Sequence, residues 1–259
     1  MSSLVTFDAE GPVGIVTLNR PEARNAISGS MADQIANTFQ QISRDASVWT
    51  VILRAAGDKA FCVGADLKER AGFTLEDFYE NRKQIRGLFE AIRKTPQPTV
   101  ASVFGYALGG GFELALSCDL IVAAQGTKLG LPEARVGLLP AGGGTQLLTR
   151  KVGTSRAKDL IFRGRLIDAG EAQQLGLVAE VAAPEELDAW TMTVAQDICK
   201  SSPAAVRAAK IAIDNGLGVP LDEGIEIENE AWKTVIASED RAEGIKAFNE
   251  KRDPDWANR

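Results

Sequence analysis

Two glutamates stand where carboxylates could do proton chemistry. Glu113 sits in Gly-Phe-Glu-Leu-Ala-Leu, on the first turn of an otherwise apolar helical stretch, and Glu133 sits in Leu-Gly-Leu-Pro-Glu-Ala. A carboxylate at a helix start is ordinarily favoured by the helix dipole alone. The flanks Phe112, Leu114, Ala115 and Leu116 instead suggest burial for Glu113, and burial raises a carboxyl pKa toward the range useful for acid/base catalysis. Glu133 fits a turn residue or an ion-pair partner equally well. The chain has no histidine, so triads built on imidazole and imidazole zinc sites are excluded. Proton transfer must use carboxylates, Lys, Tyr, Cys or water.

Three glycine-rich segments accompany the glutamates: Phe61-Cys62-Val63-Gly64-Ala65-Asp66-Leu67, Gly105-Tyr106-Ala107-Leu108-Gly109-Gly110-Gly111 and Pro140-Ala141-Gly142-Gly143-Gly144-Thr145. The second and third open helices, where unpaired N–H groups suit a developing anion and glycine lets a ligand approach the backbone. A dinucleotide fingerprint fails because Leu114 stands where a third glycine is needed, and no Gly-Lys-Ser/Thr follows for a P-loop. The run Lys68-Glu69-Arg70 reads as a solvated helix start, Arg24 as part of an exposed polar loop, and Asp119 as a structural cap.

The elements that must position these residues alternate. Strands are expected at 4–8 and 13–18 as a hairpin, then at 48–54, 99–104, 119–124 and 177–182. Helices are expected at 30–43, with Ser30 and Asp33 as a capping box, and at 75–94, 110–117, 142–151, 154–163 and 169–175. Beyond residue 184 four helical segments follow with no strand between them. The pattern describes an α/β core over 1–190 and a helical C-terminal region over 191–259. The chain has 259 residues and a net charge of −6, which gives no global field for nucleic acid or anionic membrane. No apolar stretch has the length of a membrane span, and residues 1–12 lack the marks of a signal peptide. Cys62, Cys118 and Cys199 are scattered and odd in number, as for reduced thiols in the cytoplasm.

Taken together, LNRPEARNAI (18–27), AFCVGADLKE (60–69), GYALGGGFELALSCDLIVAA (105–124), LGLPEARVGLLPAGGGTQ (129–146) and EGIKAFNEKRDPDW (243–256) resemble the enoyl-CoA hydratase/isomerase (crotonase) family. The resemblance covers essentially the whole chain. It implies an α/β crotonase-like spiral of ββα units whose helical C-terminal region builds a homotrimer or homohexamer. It implies an acyl-CoA thioester as ligand, with coenzyme A part of the substrate and no separate cofactor or metal. It places an oxyanion hole on the backbone N–H groups of Ala65 and Gly110. It further implies substrate contacts along Ala65, Asp66, Leu67 and Lys68, at Gly109, Gly110 and Ala141, from Arg24 and Lys68 to the CoA phosphates or adenine, and from Phe248 and Lys251 to a neighbouring subunit's CoA.

Hydratases of this family carry one glutamate after the GGG motif and a second twenty residues on, whereas isomerases need only the second. Glu113 and Glu133 match both positions. The expectation is therefore a hydro-lyase adding water to a trans-2-enoyl-CoA to give a 3-hydroxyacyl-CoA, in fatty acid or branched-chain acyl breakdown. Glu113 would take a proton from water and Glu133 would deliver one to Cα. Resemblance to the methylglutaconyl-CoA hydratase branch (64–70, 157–178, 208–216) and to the crotonobetainyl-CoA hydratase ending (KRDPDW) leaves the acyl group open, and an enoyl-CoA isomerase is the other reading. RNA binding is disfavoured, because the helix matching the lysine-rich helix of one family member has no lysine. Two positions depart from the family pattern: Ala141 replaces a common glycine and Leu147 a common arginine.

Overall fold

The computed structural model describes residues 3–258. A hairpin of β1 (Val5–Glu10) and β2 (Val13–Leu18) leads into α1 (Gly29–Ile42) and β3 (Thr50–Ala55). Then come α2 (Leu67–Arg70), α3 (Leu75–Arg93), β4 (Thr99–Val103), β5 (Tyr106–Leu108), α4 (Gly110–Ser117), β6 (Leu120–Ala124) and β7 (Lys128–Gly130). The core closes with α5 (Gly144–Val152), α6 (Thr154–Arg163), β8 (Ile167–Asp168), α7 (Ala169–Gln174) and β9 (Glu180–Ala182). Four helices finish the chain: α8 (Leu187–Cys199), α9 (Pro203–Gly216), α10 (Leu221–Ile236) and α11 (Glu239–Glu250).

The larger sheet runs β1-β2-β3-β4-β6-β9, antiparallel only between β1 and β2. A smaller sheet, β5-β7-β8, adds three short strands that no periodicity in the sequence announces. Parallel strands need cover on both faces. On one face, α1 contributes Met31, Ile35, Phe39 and Ile42 and α3 contributes Ile85, Leu88, Phe89 and Ile92, all buried at helical spacing. Each such side chain is worth about 1.5–3 kcal/mol of transfer free energy. On the other face, α8 lays Met192, Ala195 and Cys199 on Val13, Ile15 and Ile52, and Leu187, Val194 and Ile198 on Val100, Val122 and Ala124. α8 therefore runs straight through residue 190, and the expected boundary between 190 and 191 falls inside a helix that belongs to the sheet.

The N-terminus of α1 also differs from expectation. Its cap is Ser28, whose side chain accepts from the Met31 N–H at 3.2 Å, while Asp33 accepts from Gln84. The expected capping-box geometry occurs instead at Thr74 and Asp77, at the start of α3. Asp119 is structural, accepting from the Thr99 backbone at 2.7 Å and from Lys210 at 2.6 Å, which ties α9 to the sheet. The last residues are held by Asp240, buried and accepting from Ser202, Ala257 and Asn258. Elsewhere α9 and α10 leave Ile213, Leu217, Leu221, Ile225 and Trp232 exposed in the single chain. Among the described residues, no helix is long and apolar enough to cross a membrane.

Candidate active site

The loops leaving β3 and β4 meet beside the start of α4. Loop 56–66 is pinned from below by Asn25, whose buried side-chain amide donates to the carbonyls of Ala56 and Ala60. Ile27 then bridges to Ala65: the Ile27 N–H donates to Gly64 O and the Asp66 N–H to Ile27 O. Cys62 bridges to Ala107, which fixes the same loop to β5. Burial pushes the Cys62 thiol up to about 12, outweighing the Gly64 N–H that contacts its sulfur, so it stays protonated near neutral pH.

This bracing brings two amides together. Gly110 opens α4 and so has no helical acceptor for its N–H, and the hydrogen bonds of Ile27 do not use the Ala65 N–H. Among the described residues neither amide has an acceptor. Gly64 makes the approach feasible: its φ is +92°, and a Cβ there would stand 2.9 Å from Leu108 O and 3.1 Å from Gly110 N. Two free N–H groups at one wall of a cavity form a donor pair for an oxygen that gains negative charge.

The glutamates lie beside them. Glu113 is 3% exposed. Its Oε1 accepts from the N–H groups of Gly142 and Gly144 at 2.6 and 2.7 Å, so the third glycine-rich segment serves as its clamp. Burial raises its pKa against the lowering effect of those bonds and of Arg82. Glu133 opens a short 3-10 turn (Glu133–Val136), with its Oε1 over the Cα of Gly109 and its Oε2 buried without a hydrogen-bond partner. Burial and the neighbouring Glu113 charge push its pKa up to about 7, against the lowering pull of its own backbone N–H. One carboxyl is thus clamped by amides and the other is unclamped at Oε2, with the Glu113 charge adding to the cost of ionising Glu133.

A pKa raised on folding has a stability consequence. The folded state binds the Glu133 proton more tightly than the unfolded chain, so stability falls as pH climbs from the unfolded value near 4.5 toward about 7, and the full penalty applies above that. Glu133→Gln should therefore raise Tm at about pH 8 and leave it nearly unchanged at about pH 4–5. Thermal melts at both pH values check this, and an equal shift at both would contradict it.

A cavity of about 770 Å³ opens over these groups. Ala65, Leu67, Gly109, Gly110, Glu113, Glu133 and Ala141 all line it. Arg24, Asp66, Lys68, Phe248 and Lys251 do not. Arg24 is exposed in a left-handed conformation, and only its carbonyl touches the loop, accepting from Val63 N–H. Asp66 caps α2 and accepts from Arg20 at 2.6 Å. Burial pushes the Asp66 carboxyl up, but the Arg20 guanidinium and the α2 amides together hold it below the usual range. Lys68 is exposed on α2, and Phe248 (83% exposed) and Lys251 lie at the end of α11.

The run Lys68-Glu69-Arg70 is not simply solvated: Glu69 accepts from the Gly29 N–H and Arg70 lines the cavity. Further lining comes from Phe78, Asn81, Arg82, Ile85 and Phe89 of α3, which the sequence reading left out. A signal was present. Residues 78, 82, 85 and 89 share one face of α3, so Arg82 interrupts an apolar stripe. Of the two departures, Ala141 is exposed at the cavity, and Leu147 is half-buried against the core. Arg93 of α3 instead donates to Gly142 O at 3.3 Å, beside the clamp on Glu113.

Known proteins resemble this chain over nearly its whole length. The family model described as enoyl-CoA hydratase/isomerase matches residues 8–259. The human protein enoyl-CoA hydratase domain-containing protein 2, mitochondrial, is 43% identical over 243 residues, covering 92% of this chain and 83% of the relative. The crystal structure of an enoyl-CoA hydratase from Bacillus anthracis superposes with a TM-score of 0.97 at 42% identity, covering 99% of this chain and 100% of that one. An enoyl-CoA hydratase structure from Mycobacterium smegmatis gives a TM-score of 0.92 at 33% identity, with 98% and 99% covered.

Proposed function

The chain belongs to the enoyl-CoA hydratase/isomerase family, and within it we propose that this protein is a hydratase, adding water across the 2,3-double bond of a trans-2-enoyl-CoA to give the 3-hydroxyacyl-CoA. The observation that carries this reading is the presence of both carboxyls in the lining of one cavity, together with two amide N–H groups without acceptors.

In this mechanism the thioester oxygen lies between the Ala65 and Gly110 amides, which stabilise the charge that builds on it as the enolate forms. Glu113, ionised and held at Oε1 by Gly142 and Gly144, orients a water through its other oxygen and takes the proton as the water attacks Cβ. Glu133, protonated, gives its proton to Cα through the unclamped Oε2. The net change is one water added: Glu113 gains one proton, Glu133 loses one, and after product leaves Glu113 gives its proton to solvent and Glu133 takes one back, which restores the starting state. A pair sharing one proton runs the step in both directions. Along the same lines, Arg24, Asp66, Lys68, Phe248 and Lys251 remain proposed contacts for CoA, the last two in an assembled trimer or hexamer. The exposed apolar face of α9 and α10 supports such an assembly. No cofactor beyond the CoA of the substrate is needed, and the three free cysteines fit a cytoplasmic setting.

The direct test is loss of the conjugated enoyl-thioester absorbance when the protein meets crotonyl-CoA; binding without loss would remove the reading for this substrate. The pH profile follows from the pair. Hydration needs the Glu133 proton, so kcat/KM should fall as pH rises through about 7, and it should fall again on the acid side once Glu113 is protonated. A profile flat from about pH 5 to 9 would contradict this assignment.

A further inference from the structure

Two carboxyls line one cavity, but the hydration step needs the proton on Glu133 and the charge on Glu113. The amides of Gly142 and Gly144 favour that division. The amides themselves are held from α3. The Phe89 ring lies so close to Gly142 that a Cβ there would collide with it. Arg93, one turn on and on the same helix face, donates from Nη1 to Gly142 O at 3.3 Å. Among the described residues it is the only side chain that donates a hydrogen bond to segment 140–144. Leu147 reaches the next glycine with an apolar end: a Cβ on Gly143 would stand 3.1 Å from Leu147 Cδ1 and 3.5 Å from Arg93 Nη1.

The peptide that Arg93 engages joins Gly142 to Gly143. Its carbonyl faces the guanidinium, and its N–H, that of Gly143, joins those of Gly142 and Gly144 in favouring the Glu113 carboxylate. A cation on the carbonyl side polarises a peptide and makes its N–H a stronger donor. Glu90, one turn before Arg93, pairs with Lys94. The Glu90 and Glu113 charges both favour the charged form of Arg93, against partial burial and the nearby Arg86. Two other charged groups act on Glu113: Arg82 of α3 favours its ionised form, and the Glu133 charge repels it. β5, β6 and the first turn of α5, which also pack on α4, carry no charged side chain.

We propose that Arg93 is a positioning residue of this site, acting on Glu113 through the Gly142–Gly143 peptide. It keeps the clamp aimed at Glu113 and so makes Glu113, rather than Glu133, the base of the pair. Its kinetic consequence rests on the hydratase reading above, whereas the coupling of Arg93 to Glu113 belongs to the fold and is measurable without turnover.

The first arm of the test is a cycle of thermal melts on the wild type, Arg93→Met, Glu113→Gln and the double variant, at about pH 8 and about pH 4. At the higher pH the Tm changes of the single variants should not add, because each removes one end of the same interaction. At the lower pH, with Glu113 protonated, they should add. The second arm is kinetic. Arg93 does not line the cavity, so Arg93→Met should lower kcat for crotonyl-CoA about tenfold or more while KM stays within about threefold. The acid limb of its kcat/KM profile should move to higher pH, because Glu113 without the cation takes a proton more readily. Arg93→Lys should recover part of kcat and hold the limb nearer its wild-type place. Arg86→Met, which removes a like charge two turns earlier on α3, should leave both unchanged. Additive Tm changes at both pH values, or an acid limb unmoved in Arg93→Met, would overturn the proposal. An equal displacement in Arg86→Met would assign the effect to the overall charge of α3 and overturn it as well. A wild type that hydrates no enoyl-CoA would remove the hydratase reading, and the melts would still decide whether Arg93 holds the Glu113 charge.

Discussion

Glu133→Gln is expected to lower kcat for hydration of crotonyl-CoA by about 10²–10⁴-fold, with a much smaller change in KM. The amide keeps the size of the side chain over Gly109 but has no proton to give Cα, so the loss appears in the chemical step. Glu113→Gln should fall in the same range, because an amide oxygen can still accept from Gly142 and Gly144 while the base is gone. The double variant should be little worse than either single one, since both act on one water and one transition state. The pair of variants also separates hydration from isomerisation. Moving a double bond from the 3- to the 2-position needs a single carboxyl, and in this fold Glu133 would be that group. A Glu113→Gln protein that keeps full activity on a 3-enoyl-CoA, with a wild type inactive on crotonyl-CoA, would mark the protein as an isomerase.

The second large effect is expected at Gly64, which touches no reacting atom in this mechanism. Gly64→Val should reduce kcat/KM by about 10²–10³-fold, the scale of losing one oxyanion donor. Valine disfavours a φ of +92°, and its Cβ would press on Leu108 O and Gly110 N, so the Ala65 and Gly110 amides could no longer converge. Because the strain is local, the variant should retain its far-UV circular dichroism and its acyl-CoA binding. Turnover within about threefold of wild type would show that convergence of these two amides is not needed, a small change on the scale of an oxyanion donor.

How far these features could be read in advance varied with their physical origin. The helix bearing Glu113 runs from Gly110 to Ser117 as expected, because glycines at its start and an apolar run after them leave few alternatives. The main strands were legible for a similar reason: β2, β3 and β4 are dense in β-branched residues that are buried in the sheet. The strands β5, β7 and β8 were not, since two or three residues carry no period and their pairing partners are distant in sequence. The cap of α1 lies at Ser28, two residues before the expected Ser30, because the two serines offer the same side-chain chemistry and only the backbone geometry decides between them. The clamp of Gly142 and Gly144 on Glu113 joins residues about thirty positions apart, which a local pattern does not reveal. Arg70 was read as solvated because its neighbours in the chain are charged, although the turn of α2 directs it to the cavity. α8 followed the same rule: helix-only sequence after residue 184 suggested a separate region, yet its apolar face completes the cover of the sheet.

The central claim is that this site adds water to carbon. It is tested most directly by incubating crotonyl-CoA with the protein in ¹⁸O-water and weighing the thioester product. The account predicts a 3-hydroxybutyryl-CoA carrying the heavy oxygen, formed by the wild type and lost with Glu133→Gln. A bound thioester that is recovered unchanged, or converted only to an isomer of the same mass, would contradict it.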